Sequence, residues 1–185
     1  MADILVIYGT TEGHTAKIAA RIAETARTRG HRVVVQNAAA LPSAFLVERF
    51  DGVIVGGSVH RGAHQAALRT FVESYRRELR EKPSAFFSVS LSAADPEAVA
   101  DAMEMATAFL KEAGWQPSQI AVFAGALVYT QYDYFTRLLM KLIVRRAGRP
   151  DTRTAHDYIY TDWSTVEAFT ERFVDSLVVK DALIA

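Results

Sequence analysis

The sequence predicts a doubly wound α/β domain: a five-stranded parallel sheet, helices on both faces, and a helical insertion late in the chain. Two patterns carry that expectation. The runs Ile4–Tyr8, Arg32–Val35, Gly52–Val55, Ala85–Val89 and Ile120–Phe123 are continuously apolar or β-branched rather than alternating, as strands covered on both faces require. Amphipathic stretches of helical period separate them, giving the order βαβαβαβαβα. Composition agrees. With 185 residues, 50% hydrophobic and 23% charged, the chain suits one domain over 1–185 that buries its core without disulfide or metal support.

The first run begins directly behind Met1-Ala2-Asp3, so no signal peptide is expected. It leads into Gly9-Thr10-Thr11-Glu12-Gly13-His14-Thr15. This loop is no Walker A sequence, because no Gly-Lys-Ser/Thr follows, and it lacks the second glycine of G-x-G-x-x-G. Its threonine hydroxyls and the N–H groups of a helix start suit a phosphate monoester. Without lysine or arginine in the loop, neutral hydrogen bonds replace charge pairing. The plainer alternative is N-capping by threonine.

Gly30 marks the end of the helix that follows. Leu68, Phe71, Val72, Tyr75 and Leu79 keep helical spacing, as do Val99, Ala102, Met103, Ala106, Phe109 and Ala113. Asp95-Pro96 reads as an N-cap with proline in the first turn, and Gly114 as a stop. Ser164 and Glu167 form a capping box for a last helix burying Val166, Phe169, Phe173 and Leu177.

The exception is Leu127–His156, an insertion expected to split the fifth strand before the short run Tyr158–Tyr160. Phe135, Leu138, Leu139, Leu142 and Ile143 form one apolar helical face, and Arg137, Lys141 and Arg145 a basic stripe beside it. Tyr134 through Pro150 carries Arg137, Lys141, Arg145, Arg146 and Arg149 and no acid. Such a helix reads as interfacial, drawn to anionic headgroups. Alternatively it docks on the sheet with its arginines solvated.

Charge and composition exclude other classes. Twenty-one basic residues balance twenty-one acidic ones, so no overall field favours nucleic acid. The absence of cysteine removes thiolate metal sites and cysteine nucleophiles, and His31, His64 and His156 lack metal-ligand spacing. Apolar stretches stop short of ~18 residues, so no span is expected and the chain belongs in the cytoplasm.

Thr10-Thr11-Glu12-Gly13-His14-Thr15 resembles the phosphate loop of the flavodoxins. The resemblance implies strand order 2-1-3-4-5 and bound FMN. It places the phosphate on Thr10, Thr11, Glu12, Gly13, His14 and Thr15. The ring then lies between two later loops, at Ser58, Val59, His60, Arg61 and Gly62 and at Ser90, Leu91 and Ser92. Glu12 stands where flavodoxins usually carry threonine, so its side chain is expected to turn to solvent and its N–H to contribute. His14 is expected to shape the turn. Neither ring loop has tryptophan or tyrosine, which leaves a ring face open to substrate.

Further stretches are Val55–Val59 with Gly62 and His64, Pro83–Val89, Ala124-Gly125-Ala126-Leu127, Tyr132–Ile143, Asp151-Thr152-Arg153 and Tyr160-Thr161-Asp162-Trp163. Together they resemble the bacterial menaquinone-dependent protoporphyrinogen oxidase family. That resemblance implies FMN-dependent oxidation of protoporphyrinogen IX to protoporphyrin IX in haem biosynthesis, with electrons passed to a membrane quinone. The chemistry is then flavin-borne, and His60 and Arg61 are the side chains near the ring that could stabilise its reduced form. Tyr132, Arg137, Lys141 and Arg145 become candidates for substrate propionates or for peripheral contact, through 132–149, with the inner face of the cell membrane. Homo-oligomerisation stays open. Two rivals remain: a flavodoxin-like electron carrier, disfavoured by the balanced charge, and an FMN-dependent quinone reductase with another substrate. A response-regulator receiver is excluded, because Tyr8-Gly9 and Gly56-Gly57 occupy the places of its acidic residues.

Overall fold

A computed structural model describes residues 1–42, 44–60, 62–127 and 158–184. The parallel sheet consists of β1 (Asp3–Gly9), β2 (Arg32–Asn37), β3 (Gly52–His60), β5 (Ser84–Ser90) and β6 (Gln119–Ala124). Its order is β2-β1-β3-β5-β6, which is the expected 2-1-3-4-5, and the short β4 (Ala63–His64) pairs only with the end of β3.

Side-chain alternation in β1 explains the two layers. Ile4 and Val6 enter a core with Ile18 and Ile22 of α1 (His14–Thr28) and with Phe169 and Phe173 of α5 (Trp163–Ile184). Leu5 and Ile7 face the opposite way, toward Leu68 and Phe71 of α2 (Ala66–Ser74) and Phe109 of α4 (Val99–Ala113). Both faces are apolar, hence the continuous hydrophobic runs. Gly30 and Gly114 take left-handed conformations where α1 and α4 stop.

Three local expectations are corrected. The single helix read through Leu79 is two, α2 and α3 (Arg76–Glu81), meeting at Tyr75, whose hydroxyl donates to the Phe45 carbonyl at 3.0 Å. Asp95-Pro96 does not cap α4. Asp95 Oδ1 accepts from the Glu97 amide, which makes a turn, and α4 begins only at Val99. The last helix is capped by Asp162 rather than Ser164: Asp162 Oδ1 accepts from the Ser164 amide at 2.9 Å and its hydroxyl at 2.7 Å. Asp162 precedes the helix, where a carboxylate meets both unsatisfied amides and the dipole. Glu167 instead approaches Arg21 of α1 at 3.4 Å.

The insertion departs after β6. Its root is a separate antiparallel ladder of β7 (Ala126–Leu127) and β8 (Tyr158–Ile159), so the returning run pairs with the departing one and does not rejoin the main sheet. Among the described residues no helix is long and apolar enough to cross a membrane.

Candidate cofactor site

The carboxyl ends of β1, β3 and β5 meet at the change in strand order, where doubly wound sheets bind their ligands. The segment from Thr10 to Thr15 joins β1 to α1 there. Gly13 is the N-cap at φ 83°, a left-handed conformation that glycine adopts without strain, and it has no side chain to cap the helix. The first amides of α1 are thus left for another acceptor.

The loop's hydroxyls are arranged to donate. Thr10 Oγ1 accepts from the Gly13 amide at 2.9 Å, and Thr11 Oγ1 accepts from Gln65 Nε2 at 3.1 Å. Each hydroxyl keeps its own proton for an outside acceptor. Thr15 Oγ1 is buried and has no partner among the described residues. A buried hydroxyl left unpaired at a helix start fits an oxyanion there.

Glu12 is corrected. Its carboxylate does not turn to solvent but lies 3.7 Å from His60 Nδ1, with its side chain only 21% exposed.

The segment expected as the first ring loop is a hairpin. β3 runs on through Ser58, Val59 and His60, and His60 pairs with Ala63 of β4. Gly62, at φ 80°, closes the turn. Behind it His64 Nε2 meets Ser88 Oγ at 3.0 Å, and its ring lies 4.6 Å from Phe109. Burial, with Arg69 nearby, pushes the His64 pKa down to about 4. In the second loop Ser90 is buried, its Oγ accepting from the Ala93 amide and meeting Ser92 Oγ at 3.0 Å. Leu91 and Ser92 are half-buried beside it.

The flavodoxin-domain family profile matches residues 5–154. The quinone-linked protoporphyrinogen IX dehydrogenase of Escherichia coli (strain K12) is 34% identical over 166 residues, 89% of this chain and 91% of that protein. The chain belongs to that family. The dehydrogenase of the same name from Leishmania major is 32% identical over 174 residues, 91% of this chain and 73% of that protein. Flavodoxin 1 of Bacillus cereus shares the fold with a TM-score of 0.56 at 19% identity, covering 94% of this chain and 97% of that one.

In this member of the dehydrogenase family, the residues expected at the site divide into two groups. Thr10 to Thr15, Ser58 to His60, Gly62 and Ser90 to Ser92 lie at the carboxyl edge of the sheet. Arg61, Tyr132, Arg137, Lys141 and Arg145 lie outside the described residues. Sequence reading missed Gln65, whose amide also donates to Ser58 Oγ at 2.6 Å. It also missed Thr161, whose Oγ1 is 2.7 Å from His14 Nε2. A polar residue just before a helix was the only available sign of Gln65, and Thr161 lay in a stretch read for family likeness alone.

Proposed function

We propose that this chain is an FMN-dependent, quinone-linked enzyme that oxidises protoporphyrinogen IX to protoporphyrin IX in haem biosynthesis. The observation that carries the reading is the match to dehydrogenases of that name over about nine tenths of the chain. The cofactor assignment rests on the loop after β1. Its free helix amides, its donating threonines and the unpartnered Thr15 hydroxyl fit a phosphate monoester without a cationic side chain.

When bound, FMN supplies the hydride acceptor and passes the electrons on to quinone. The chain's own work is placement. Thr10, Thr11 and Thr15 would hold the phosphate with their hydroxyls, and the amides of Glu12 and His14 would complete its oxygen shell, while the Gly13 amide braces Thr10 Oγ1. The hairpin Ser58–Gly62 and the turn Ser90–Ser92 would flank the ring without tryptophan or tyrosine, leaving a face for the flat porphyrinogen. His60 and Arg61 would oppose negative charge on the reduced cofactor, and Glu12 lies 3.7 Å from His60 Nδ1.

Full oxidation removes six electrons, so a quinone must be reached between turnovers. Tyr132, Arg137, Lys141 and Arg145 supply this, as a basic, apolar element at 132–149 that binds anionic headgroups on the inner face of the cell membrane or the substrate's propionates.

The deciding experiment is anaerobic. Purified protein should be yellow with FMN, bleach with protoporphyrinogen IX, and recover its colour with a quinone. A colourless protein that ignores added FMN would remove the reading. Reduction by NADPH but not by the porphyrinogen would make the chain a quinone reductase. Charge reversal at Arg137, Lys141 and Arg145 should weaken liposome binding and leave FMN bound; unchanged partitioning would return those residues to solvated positions.

A further inference from the structure

Gln65 stands immediately before α2, and its carboxamide reaches two separate walls of the site. Nε2 donates to Ser58 Oγ at 2.6 Å and to Thr11 Oγ1 at 3.1 Å. Thr11 belongs to the loop after β1, and Ser58 to the strand that becomes the ring hairpin.

The other end of the amide, Oε1, is buried and has no partner among the described residues, an arrangement that opposes stability. The strand end beneath leaves room for it. A Cβ on Gly9 would lie 2.8 Å from Oε1, the nearest atom to it, whereas one on Gly57 would first meet Leu68 Cδ2 at 2.5 Å. The end of β1 therefore carries glycine where this amide lies, and the amide gives up one hydrogen bond to keep the two that span the loops.

We propose that Gln65 is a positioning residue that sets the separation between the phosphate subsite and the ring subsite, so that both ends of one mononucleotide bind as a unit. This rests on the reading of the site as an FMN site. Two subsites held at the right span act as one, because the second contact becomes intramolecular; loosening the span loses that advantage while leaving each subsite intact.

The test uses the full chain stripped of cofactor and titrated calorimetrically with FMN, riboflavin and inorganic phosphate. Gln65→Ala should weaken FMN binding by about tenfold or more and leave riboflavin and phosphate as in the parent. Unchanged FMN affinity would overturn the proposal. So would an equal loss for either fragment, because Gln65 would then shape only one subsite. Gly9→Ala retains the glutamine but pushes its amide away, and should weaken FMN binding comparably. In the Gln65→Ala background it should have no further effect, and full additivity would count against the mechanism. A parent protein that binds no FMN would instead defeat the functional reading, and this inference with it.

Discussion

His14 and Thr161 are 147 positions apart in the chain, yet their side chains meet at 2.7 Å. Thr161 Oγ1 also donates to the Ala124 carbonyl at 2.6 Å. A hydroxyl has one proton, and it goes to Ala124, so His14 Nε2 must be the donor in its own bond. The imidazole is thereby fixed as the Nε2–H tautomer. Burial, with Lys17 nearby, lowers its pKa and keeps it neutral at pH 7. The contact joins the first residue of α1 to the point where the insertion returns, and Ala124 ends β6.

Thr161→Val should therefore strand the Ala124 carbonyl and the imidazole N–H together. The expected loss is about 1–3 kcal/mol in urea unfolding, with Thr161→Ser recovering most of it. Nitrogen NMR of the parent should find the proton of His14 on Nε2. A proton on Nδ1 would contradict the bonding assigned to Thr161.

His64 predicts an acid sensitivity. Its pKa is about 4 in the fold, against 6.5 when free. Between those values the unfolded chain takes up a proton that the folded chain refuses, so stability falls as pH drops from about 6.5 toward 4. The full loss is about 3 kcal/mol. His14 and His31, also lowered, act in the same direction. Unfolding free energies at pH 7 and 4.5 should differ less in His64→Gln than in the parent. An identical pH dependence would mean that His64 ionises freely.

Gly56 is a packing requirement. A Cβ there would fall 1.9 Å from Phe87 Cζ, and Phe87 is fully buried against Phe123 and Phe169. Gly56→Ala should destabilise the fold by about 3 kcal/mol. Adding Phe87→Leu should recover part of that loss, which thermal melts of the single and double variants will measure.

Gly13 separates conformation from charge. No atom lies within 4 Å of a Cβ built there, so Gly13→Ala meets only the strain of φ +83°, about 1–2 kcal/mol. It should retain FMN in part. Gly13→Asp adds a carboxylate beside the position proposed for the phosphate and should abolish binding. Equal loss in both would show that backbone strain alone decides.

Periodicity was enough to read the five strands, their buried faces and most helices, because burial on both sides of a parallel sheet leaves an unbroken apolar run. Val166, Phe169, Phe173 and Leu177 are buried as their spacing indicates. Thr10–Thr15 was legible as a helix-start loop because its neighbours in sequence are its neighbours in space. Helix boundaries were less so: Ser164 and Asp162 are both good caps, and the helix starts at Trp163, which places Asp162 before it and Ser164 within it.

What the sequence determined by itself was therefore local: strand against helix, apolar against polar, and the threonine-rich turn after β1 that opens α1. Tertiary structure alone decided which distant side chains share a bond. Gln65 with Thr11 and Ser58, Glu12 with His60, and His14 with Thr161 are long-range pairs. Their partners are set by sheet order and loop closure, and no periodicity along the chain records a contact made across it.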